Sequence, residues 1–292
     1  MDDGGGGGQG CPREGDTHER NEHVTGLIGA PQEPPVLPTP GAPVPIHDEI
    51  RYGTAASQFA ELWNAEGDRP PRGLAVMLHG GWWRDTYDRH LMDGLCADLA
   101  ARGWTVANVE YRRTGTDGGG WPQTLDDVLA AVDTVRNARP DLAVLPSAAV
   151  GHSAGGHLAL MTAARHRVDA VVALAPITDL PRSVAERLSP GSPEAFIGAG
   201  PDEDPAAYRH ASPLHCVPLG RPQLVVHGRL DIDVPVTQGR DYVAAAKAAG
   251  DPAELAEHVG TDHFHVIDPA HPSWGSAVAW LDAHVATEEP GV

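Results

Sequence analysis

The sequence predicts an α/β fold in which a mostly parallel central sheet is covered by helices on both faces. Short apolar runs alternate with helical patterns from about residue 46 to the end of the chain. The apolar runs are continuous, which is typical of strands buried on both faces of a parallel sheet. Glycine-rich and polar segments follow several of these runs, and in such sheets functional groups collect at the carboxyl ends of the strands.

Residues 1–44 differ in composition from the rest of the chain. They are rich in Gly, Pro and charged residues and poor in apolar ones. Such a segment buries too little surface to offset the entropy of ordering, so we expect a disordered tail before one domain at 45–292. No segment has the length of a membrane span, and the N-terminus does not resemble a secretory signal. We therefore predict a cytoplasmic protein.

The elements of the domain can be assigned in chain order. Residues 46–66 hold an initial strand and turn. Later strands are predicted at 73–79, 105–111, 147–152, 168–174, 223–228 and 253–258. Helices are predicted at 91–102, 124–139, 154–165, 236–249 and 273–285. Thr124 or Asp126 is expected to cap the second helix. Residues 176–221 are rich in Pro, Gly and Ser, and we interpret them as an irregular partial cover over the site.

Composition and charge limit the function classes. The net charge of −19 argues against a nucleic-acid partner, which would require a basic face. Three widely spaced cysteines form no C-x-x-C pair, so neither a disulfide framework nor a zinc site is expected. The sixteen histidines show no recognised metal-ligand spacing, and we expect no metal and no cofactor. A small-molecule substrate remains, and the oligomeric state stays open.

The segment around Ser153 carries the main motif. An apolar strand leads into Gly151-His152-Ser153-Ala154-Gly155, and a helical run follows. G-x-S-x-G between a strand and a helix places a serine hydroxyl at the tip of a sharp turn, which glycine on each side permits. The amide of Ala154 would lie at the helix start, where N–H groups lack intrahelical partners. By itself, the pattern also fits a glycine-rich turn without chemistry.

A nucleophilic serine requires a histidine base and a carboxylate that orients it. In hydrolases with this serine turn, the acid and then the histidine follow the serine along the chain. Two acids compete after one strand, Asp231 and Asp233. Two histidines compete after the last strand, His263 and His265. We favour Asp231, which directly follows the strand turn, and His263, with the other two as alternatives.

The segment 79–82, His-Gly-Gly-Trp, ends an earlier strand and can present backbone amides to an oxyanion. We assign the oxyanion hole to the amides of Gly81, Trp82 and Ala154. A plain turn is the alternative for this segment. Two further tryptophans are assigned to an aromatic substrate pocket, with ordinary core packing as the alternative: Trp83 and Trp121.

Several of these motifs resemble one family. Residues 79–83, H-G-G-W-W, resemble the H-G-G-x-W motif of kynurenine formamidases (arylformamidases). Residues 151–159 are similar to their nucleophile turn, and residues 262–264 with 266–269 to their histidine loop. Residues 51–53 also resemble the family's first segment. The likeness starts near residue 50, and the nucleophile turn is shared with hormone-sensitive-lipase-like esterases.

The resemblance implies an α/β-hydrolase fold and hydrolysis of N-formyl-L-kynurenine to L-kynurenine and formate, without a metal. Ser153 would attack the formyl carbon, His263 would transfer the proton and Asp231 would orient His263. The alternative is a general carboxylesterase that acts on short acyl or aryl esters with the same residues. A third hypothesis is a binding protein with a hydrolase fold and no catalysis.

Overall fold

The computed structural model describes residues 48–285, so the predicted tail at 1–44 lies outside the described residues. The strands in this range are β1 (Asp48–Arg51), β2 (Phe59–Trp63), β3 (Leu74–Leu78), β4 (Thr105–Val109), β5 (Ser147–His152), β6 (Ala170–Leu174), β7 (Gln223–Gly228) and β8 (Ala253–His258). The α-helices in it are α1 (Asp93–Ala101), α2 (Gln123–Ala138), α3 (Pro140–Ala143), α4 (Ala154–Ala164), α5 (Leu180–Ala185), α6 (Ser192–Ile197), α7 (Pro205–His210), α8 (Val236–Ala248) and α9 (Pro272–His284).

The described strands form one sheet in the order β1-β2-β4-β3-β5-β6-β7-β8. From β4 to β8 all neighbouring pairs are parallel, whereas β2 runs antiparallel to both β1 and β4. The predicted mostly parallel sheet is therefore confirmed. Since the parallel strands end at the same edge, the segments after β3, β5, β7 and β8 meet there.

The core explains why the strand sequences are continuously apolar. Every residue of β3, β4, β5, β6 and β7 is buried. Alternate residues of β3 belong to two different hydrophobic clusters, because successive side chains point to opposite faces of a sheet. One cluster includes residues of α2, α4 and α8, and the other includes residues of α1 and α9. Helices therefore cover both faces, as predicted.

Two local expectations differ from the structure. Neither Thr124 nor Asp126 caps α2, whose N-cap residue is Pro122 without a side-chain cap. The Thr124 hydroxyl instead accepts from the N–H of Gly120 at 3.0 Å and donates to the carbonyl of Arg112 at 2.7 Å. The hydroxyl thus ties the preceding loop together and is not available as a cap.

The segment 176–221 is more regular than expected, because it contains α5, α6, α7 and a 3-10 helix (Pro213–His215). Asp179 and Asp204 accept from backbone N–H groups at the starts of α5 and α7, and Gly198 ends α6 with a φ of 85°. Each helix has only six residues, which is too short to show a helical period. No helix within residues 48–285 is long and apolar enough to cross a membrane.

Candidate active site

Ser153 lies at the junction of β5 and α4 with a φ of 54° and a ψ of −116°, a backbone conformation that non-glycine residues rarely adopt. Close backbone contacts hold it there. A Cβ at Gly151 would lie 2.1 Å from the carbonyl oxygen of Gly155, and a Cβ at Gly155 would lie 2.1 Å from that of Leu78. Both positions require glycine, because backbone atoms occupy the space of a side chain. This is the sharp turn that the motif predicts.

His263 and Asp231 form a buried pair. The Nδ1 of His263 lies 2.7 Å from the Oδ2 of Asp231, and both side chains are almost fully shielded from solvent. Asp231 is fixed in turn, because its Oδ1 accepts from the N–H groups of Asp233 at 3.0 Å and of Val234 at 2.8 Å. A carboxylate only accepts, so Nδ1 of His263 carries the proton and the lone pair of the neutral ring is on Nε2.

Burial and charge act in opposite directions on this pair. Burial by itself lowers the pKa of His263, but the adjacent Asp231 carboxylate outweighs it, so the pKa lies above its ordinary value. Burial raises the pKa of Asp231, whereas His263 and His227 lower it, and the net result is well below the usual range. Asp231 therefore stays ionised and can stabilise a positive charge on His263.

Ser153 and His263 line the same cavity, which has a volume of about 110 Å³. Its lining consists of Gly81, Trp82, Tyr87, Leu91, His152, Ser153, Asp233, His263 and Phe264. Of the two alternatives to the favoured pair, Asp233 lines this cavity and His265 does not. The ring of His265 is about half exposed and pairs with Asp262 at 2.7 Å. The position of His265 does not suit the role of base. Asp233 lies in the site, but the carboxylate hydrogen-bonded to Nδ1 of His263 is that of Asp231.

The loop after β3 presents the predicted oxyanion donors. Gly81, Trp82 and Trp83 have φ values of 114°, 52° and 57° in succession. Within residues 48–285, no protein atom accepts a hydrogen bond from the N–H of Gly81 or of Trp82. Both residues line the cavity, and Ala154 is the first residue of α4, where an N–H lacks an intrahelical partner. The geometry thus suits the stabilisation of an oxyanion beside Ser153.

A buried polar network beneath this loop was not predicted. The Nε2 of His79 lies 3.2 Å from Oε1 of Glu110, and the Tyr111 hydroxyl donates to the carbonyl of His79 at 2.7 Å. The His79 and Tyr111 rings stack with centroids 4.2 Å apart. Burial raises the pKa of Glu110, but His79 and Arg113 lower it by a larger amount, so the pKa lies below its ordinary value. The sequence signal for this network was Glu110, an acidic residue directly after the apolar strand β4.

Two further histidines, His152 and His157, flank Ser153 in the chain. The Nε2 of His152 lies 2.9 Å from the carbonyl oxygen of His263, and burial followed by the charge of His263 lowers the pKa of His152 to about 3. The Nε2 of His157 lies 2.6 Å from the carbonyl of Ala211, and burial lowers the pKa of His157 to about 4. Both rings are therefore neutral donors that connect the serine turn to neighbouring loops.

The two tryptophans assigned to a pocket lie elsewhere. The indole of Trp83 is fully buried, stacks on Phe196 at 4.0 Å between ring centroids and contacts His157 edge-on at 5.0 Å. Trp121 is half-buried with its ring centroid 6.2 Å from that of Phe196. Neither lines the cavity that contains Ser153, so their assignment to it is corrected. The alternative of core packing applies to Trp83.

Asp231, Asp233 and His263 also offer the atom types that bind a divalent cation. One ligand atom from each lies within 4.8 Å of the others. The Nδ1 of His263 is already hydrogen-bonded to Oδ2 of Asp231, and a cation that used these two atoms would have to break that bond. The arrangement is better suited to orient an imidazole than to hold a metal.

The fold and the site define the class of the chain as an α/β-hydrolase. Its residues 61–245, more than half of the chain, match the BD-FAE family model, and the chain belongs to that family. It is 28% identical over 253 residues to esterase LipC of Mycobacterium tuberculosis, across 76% of this chain and 60% of LipC. It is also 28% identical to the probable carboxylic ester hydrolase LipM of that organism, across 74% of this chain and 56% of LipM. The chain thus spans less than two thirds of either relative.

Solved structures share the fold at low identity. A truncated carbohydrate esterase from gut microbiota has a TM-score of 0.72 at 19% identity, across 80% of this chain and 94% of that one. Apo esterase 2 of Thermogutta terrifontis has a TM-score of 0.68 at 22% identity, across 85% of this chain and 98% of that one. These likenesses support the α/β-hydrolase fold and leave the substrate open.

Proposed function

We propose that this protein is a serine carboxylesterase that acts on esters with a short acyl group. The observation that carries the proposal is the buried pair of His263 and Asp231, joined at 2.7 Å, in the lining of the same cavity as Ser153. The strained backbone of Ser153 at the start of α4 supports its role as the nucleophile. The esterase names of the two curated relatives favour an ester over a formamide.

In the proposed acylation, the Oγ of Ser153 attacks the acyl carbon while Nε2 of His263 accepts the hydroxyl proton. Nδ1–H of His263 donates to Asp231, which keeps the ring in the required tautomer and stabilises the imidazolium that forms. The imidazolium then gives its proton to the leaving alcohol. Water then enters and attacks the acyl-serine while His263 accepts a proton from it. The imidazolium returns this proton to Oγ of Ser153 as the acid leaves, which restores both Ser153 and His263.

The amides of Gly81, Trp82 and Ala154 are the proposed donors to the oxyanion of each tetrahedral intermediate. A donor of this type typically contributes about 3–4 kcal/mol to the barrier reduction. Positive φ values at Gly81 and Trp82 orient this loop before substrate arrives. Because the amides need not reorganise during the reaction, they suit electrostatic stabilisation of the transition state.

The size of the cavity limits the acyl group. Its volume of about 110 Å³ is below the roughly 300 Å³ at which small-molecule pockets usually begin. A short acyl chain fits this space, with the leaving group directed outward. We therefore propose acetyl to butyryl esters as the preferred class.

N-formyl-L-kynurenine, the substrate that the motif resemblance implied, is not supported by the comparisons, which favour ester hydrolysis. The described residues that line the cavity also include no Arg or Lys that could bind the carboxylate of an amino acid. We therefore retain this compound as a comparison substrate only.

The test compares kcat/KM for 4-nitrophenyl acetate, 4-nitrophenyl butyrate and N-formyl-L-kynurenine, with Ser153→Ala beside the unaltered protein. We expect both esters to exceed the formamide, and Ser153→Ala to lose nearly all turnover while it keeps the unfolding midpoint. A preference for the formamide would contradict the proposed substrate class. Retained turnover in Ser153→Ala would contradict the proposed nucleophile.

A further inference from the structure

The lining of the catalytic cavity carries an unassigned carboxylate. In the part of the chain that the structure describes, nine residues line the cavity, and Asp233 is the one acidic residue among them, with no Lys or Arg. Its side chain is half-buried, and its Oδ2 is shielded from solvent without a hydrogen-bond partner in the described part of the chain. A partly desolvated acceptor without a partner is costly, and a bound group can offset that cost.

The position of Asp233 is fixed by its backbone. Its N–H donates to Oδ1 of Asp231 at 3.0 Å, in the loop between β7 and α8 that also holds Asp231. The ligand atoms of Asp233 and His263 lie within 4.8 Å of each other. A substrate whose ester group reaches His263 therefore lies beside the carboxylate of Asp233.

The other side chains in the lining share one property that bears on the ligand. Trp82, Tyr87 and Phe264 are aromatic, and they line the cavity together with Asp233. Aromatic rings and a carboxylate both attract an ammonium group, the rings through their quadrupole and the carboxylate through its charge. Among residues 48–285, the lining holds no Lys or Arg side chain that could pair with Asp233.

We propose that Asp233 is a specificity-determining residue that makes the cavity prefer esters bearing a positively charged ammonium group close to the ester bond. This inference rests on the proposed esterase function and adds the class of substrate. Burial raises the pKa of Asp233 above its ordinary value; the charge of His263 acts against burial, and the carboxylates of Asp231 and Asp262 act with it. A cation from the substrate offsets this unfavourable environment when the carboxylate is ionised.

The test uses two acetate esters of the same shape, acetylcholine and 3,3-dimethylbutyl acetate, which differ in one charge. The ratio of their kcat/KM values, measured by acetate release, reports the preference for charge alone. Without a charge interaction the ratio of acetylcholine to 3,3-dimethylbutyl acetate would be near one. We expect a ratio of about ten, which corresponds to about 1.4 kcal/mol. Asp233→Asn should remove this preference. A ratio near one in the unaltered protein, or the same ratio in Asp233→Asn, would overturn the inference.

Asp262→Asn is the matched control. Asp262 lies next to His263 in the chain and, like Asp233, raises the pKa of His263. The Oδ1 of Asp262 accepts from the N–H groups of Phe264 and His265, and Asp262 does not line the cavity. Both variants change the charge near His263, and that effect cancels in the ratio of two esters. The ratio should persist in Asp262→Asn, whereas equal losses in both variants would contradict a local role for Asp233.

A binding measurement separates this inference from the proposed function. Calorimetric titration with choline and with 3,3-dimethylbutanol reports the same preference without catalysis. If neither ester is hydrolysed, the esterase proposal fails, and the preference of the cavity is still measured. Tighter binding of choline that Asp233→Asn abolishes would support the inference, and equal binding of the two alcohols would overturn it.

Discussion

Gly155→Ala tests the packing on which the site depends. A Cβ at this position would lie 2.1 Å from the carbonyl oxygen of Leu78 and 2.4 Å from that of His79. Both obstacles are backbone atoms, and they directly precede the loop that carries the proposed oxyanion donors Gly81 and Trp82. The substitution therefore pushes α4, the helix that follows Ser153, away from that loop.

The magnitude follows from the geometry. Ordinary contact requires about 3.4 Å between carbon and oxygen, so α4 or the end of β3 must move by about 1 Å. Overpacking of this kind typically costs about 1–3 kcal/mol, and we expect about 3 kcal/mol here because no side chain can rotate away. For a domain of this size, that corresponds to a fall in the melting temperature of roughly 6–12 °C. A 1 Å misplacement also lowers kcat by about 10²-fold.

Gly275→Ala is the control for the same chemical change. Gly275 lies in α9, is exposed, and has no atom within 4 Å of an added Cβ. Alanine there should stabilise the protein by up to about 1 kcal/mol and leave ester hydrolysis unchanged. Thermal unfolding and kcat for 4-nitrophenyl acetate measure both effects. Normal stability and turnover in Gly155→Ala would refute the close contact between α4 and the end of β3.

Three further predictions concern the buried charges. Asp231→Asn should lower kcat by about 10⁴-fold, and it should move the acidic limb of the kcat/KM profile to lower pH, because His263 loses the charge that raises its pKa. Glu110→Gln should lower the free energy of unfolding by about 3 kcal/mol in urea titrations, because buried His79 loses its charged partner. Since the pKa of His263 is raised in the folded state, its contribution to stability is fully present below about pH 6.5 and is lost as the pH rises through the folded value. Urea unfolding of His263→Gln against the unaltered protein should therefore show a larger difference at pH 5.5 than at pH 8.5, and equal differences would contradict the pairing with Asp231.

The fold was predictable because its signals are local. Continuous apolar runs mark the strands that are buried on both faces, and the glycines around Ser153 mark a turn that no other residue fits. The segment 176–221 was misread, because helices of six residues punctuated by Pro and Gly carry no helical period. Its role as a cover stays a prediction, since none of the residues 176–221 lines the cavity that contains Ser153.

The site was predictable in part. The order of Ser153, Asp231 and His263 in the chain follows from the hydrolase pattern, and the structure joins the last two at 2.7 Å. The sequence could not show that Trp83 is a core residue, because positive φ values through the loop turn its indole into the core. It also could not place Asp233 in the cavity, because the turn closed by the Oδ1 of Asp231 sets that direction.

Mass spectrometry after reaction with an alkyl fluorophosphonate tests the nucleophile assignment most directly. The reagent phosphonylates a serine that is activated by an adjacent base, and peptide mapping identifies the modified residue. We expect one adduct at Ser153 in the folded protein, with strongly slowed labelling in His263→Ala and none at this position in Ser153→Ala. An adduct on a different residue, or labelling of Ser153 at the same rate without His263, would contradict it.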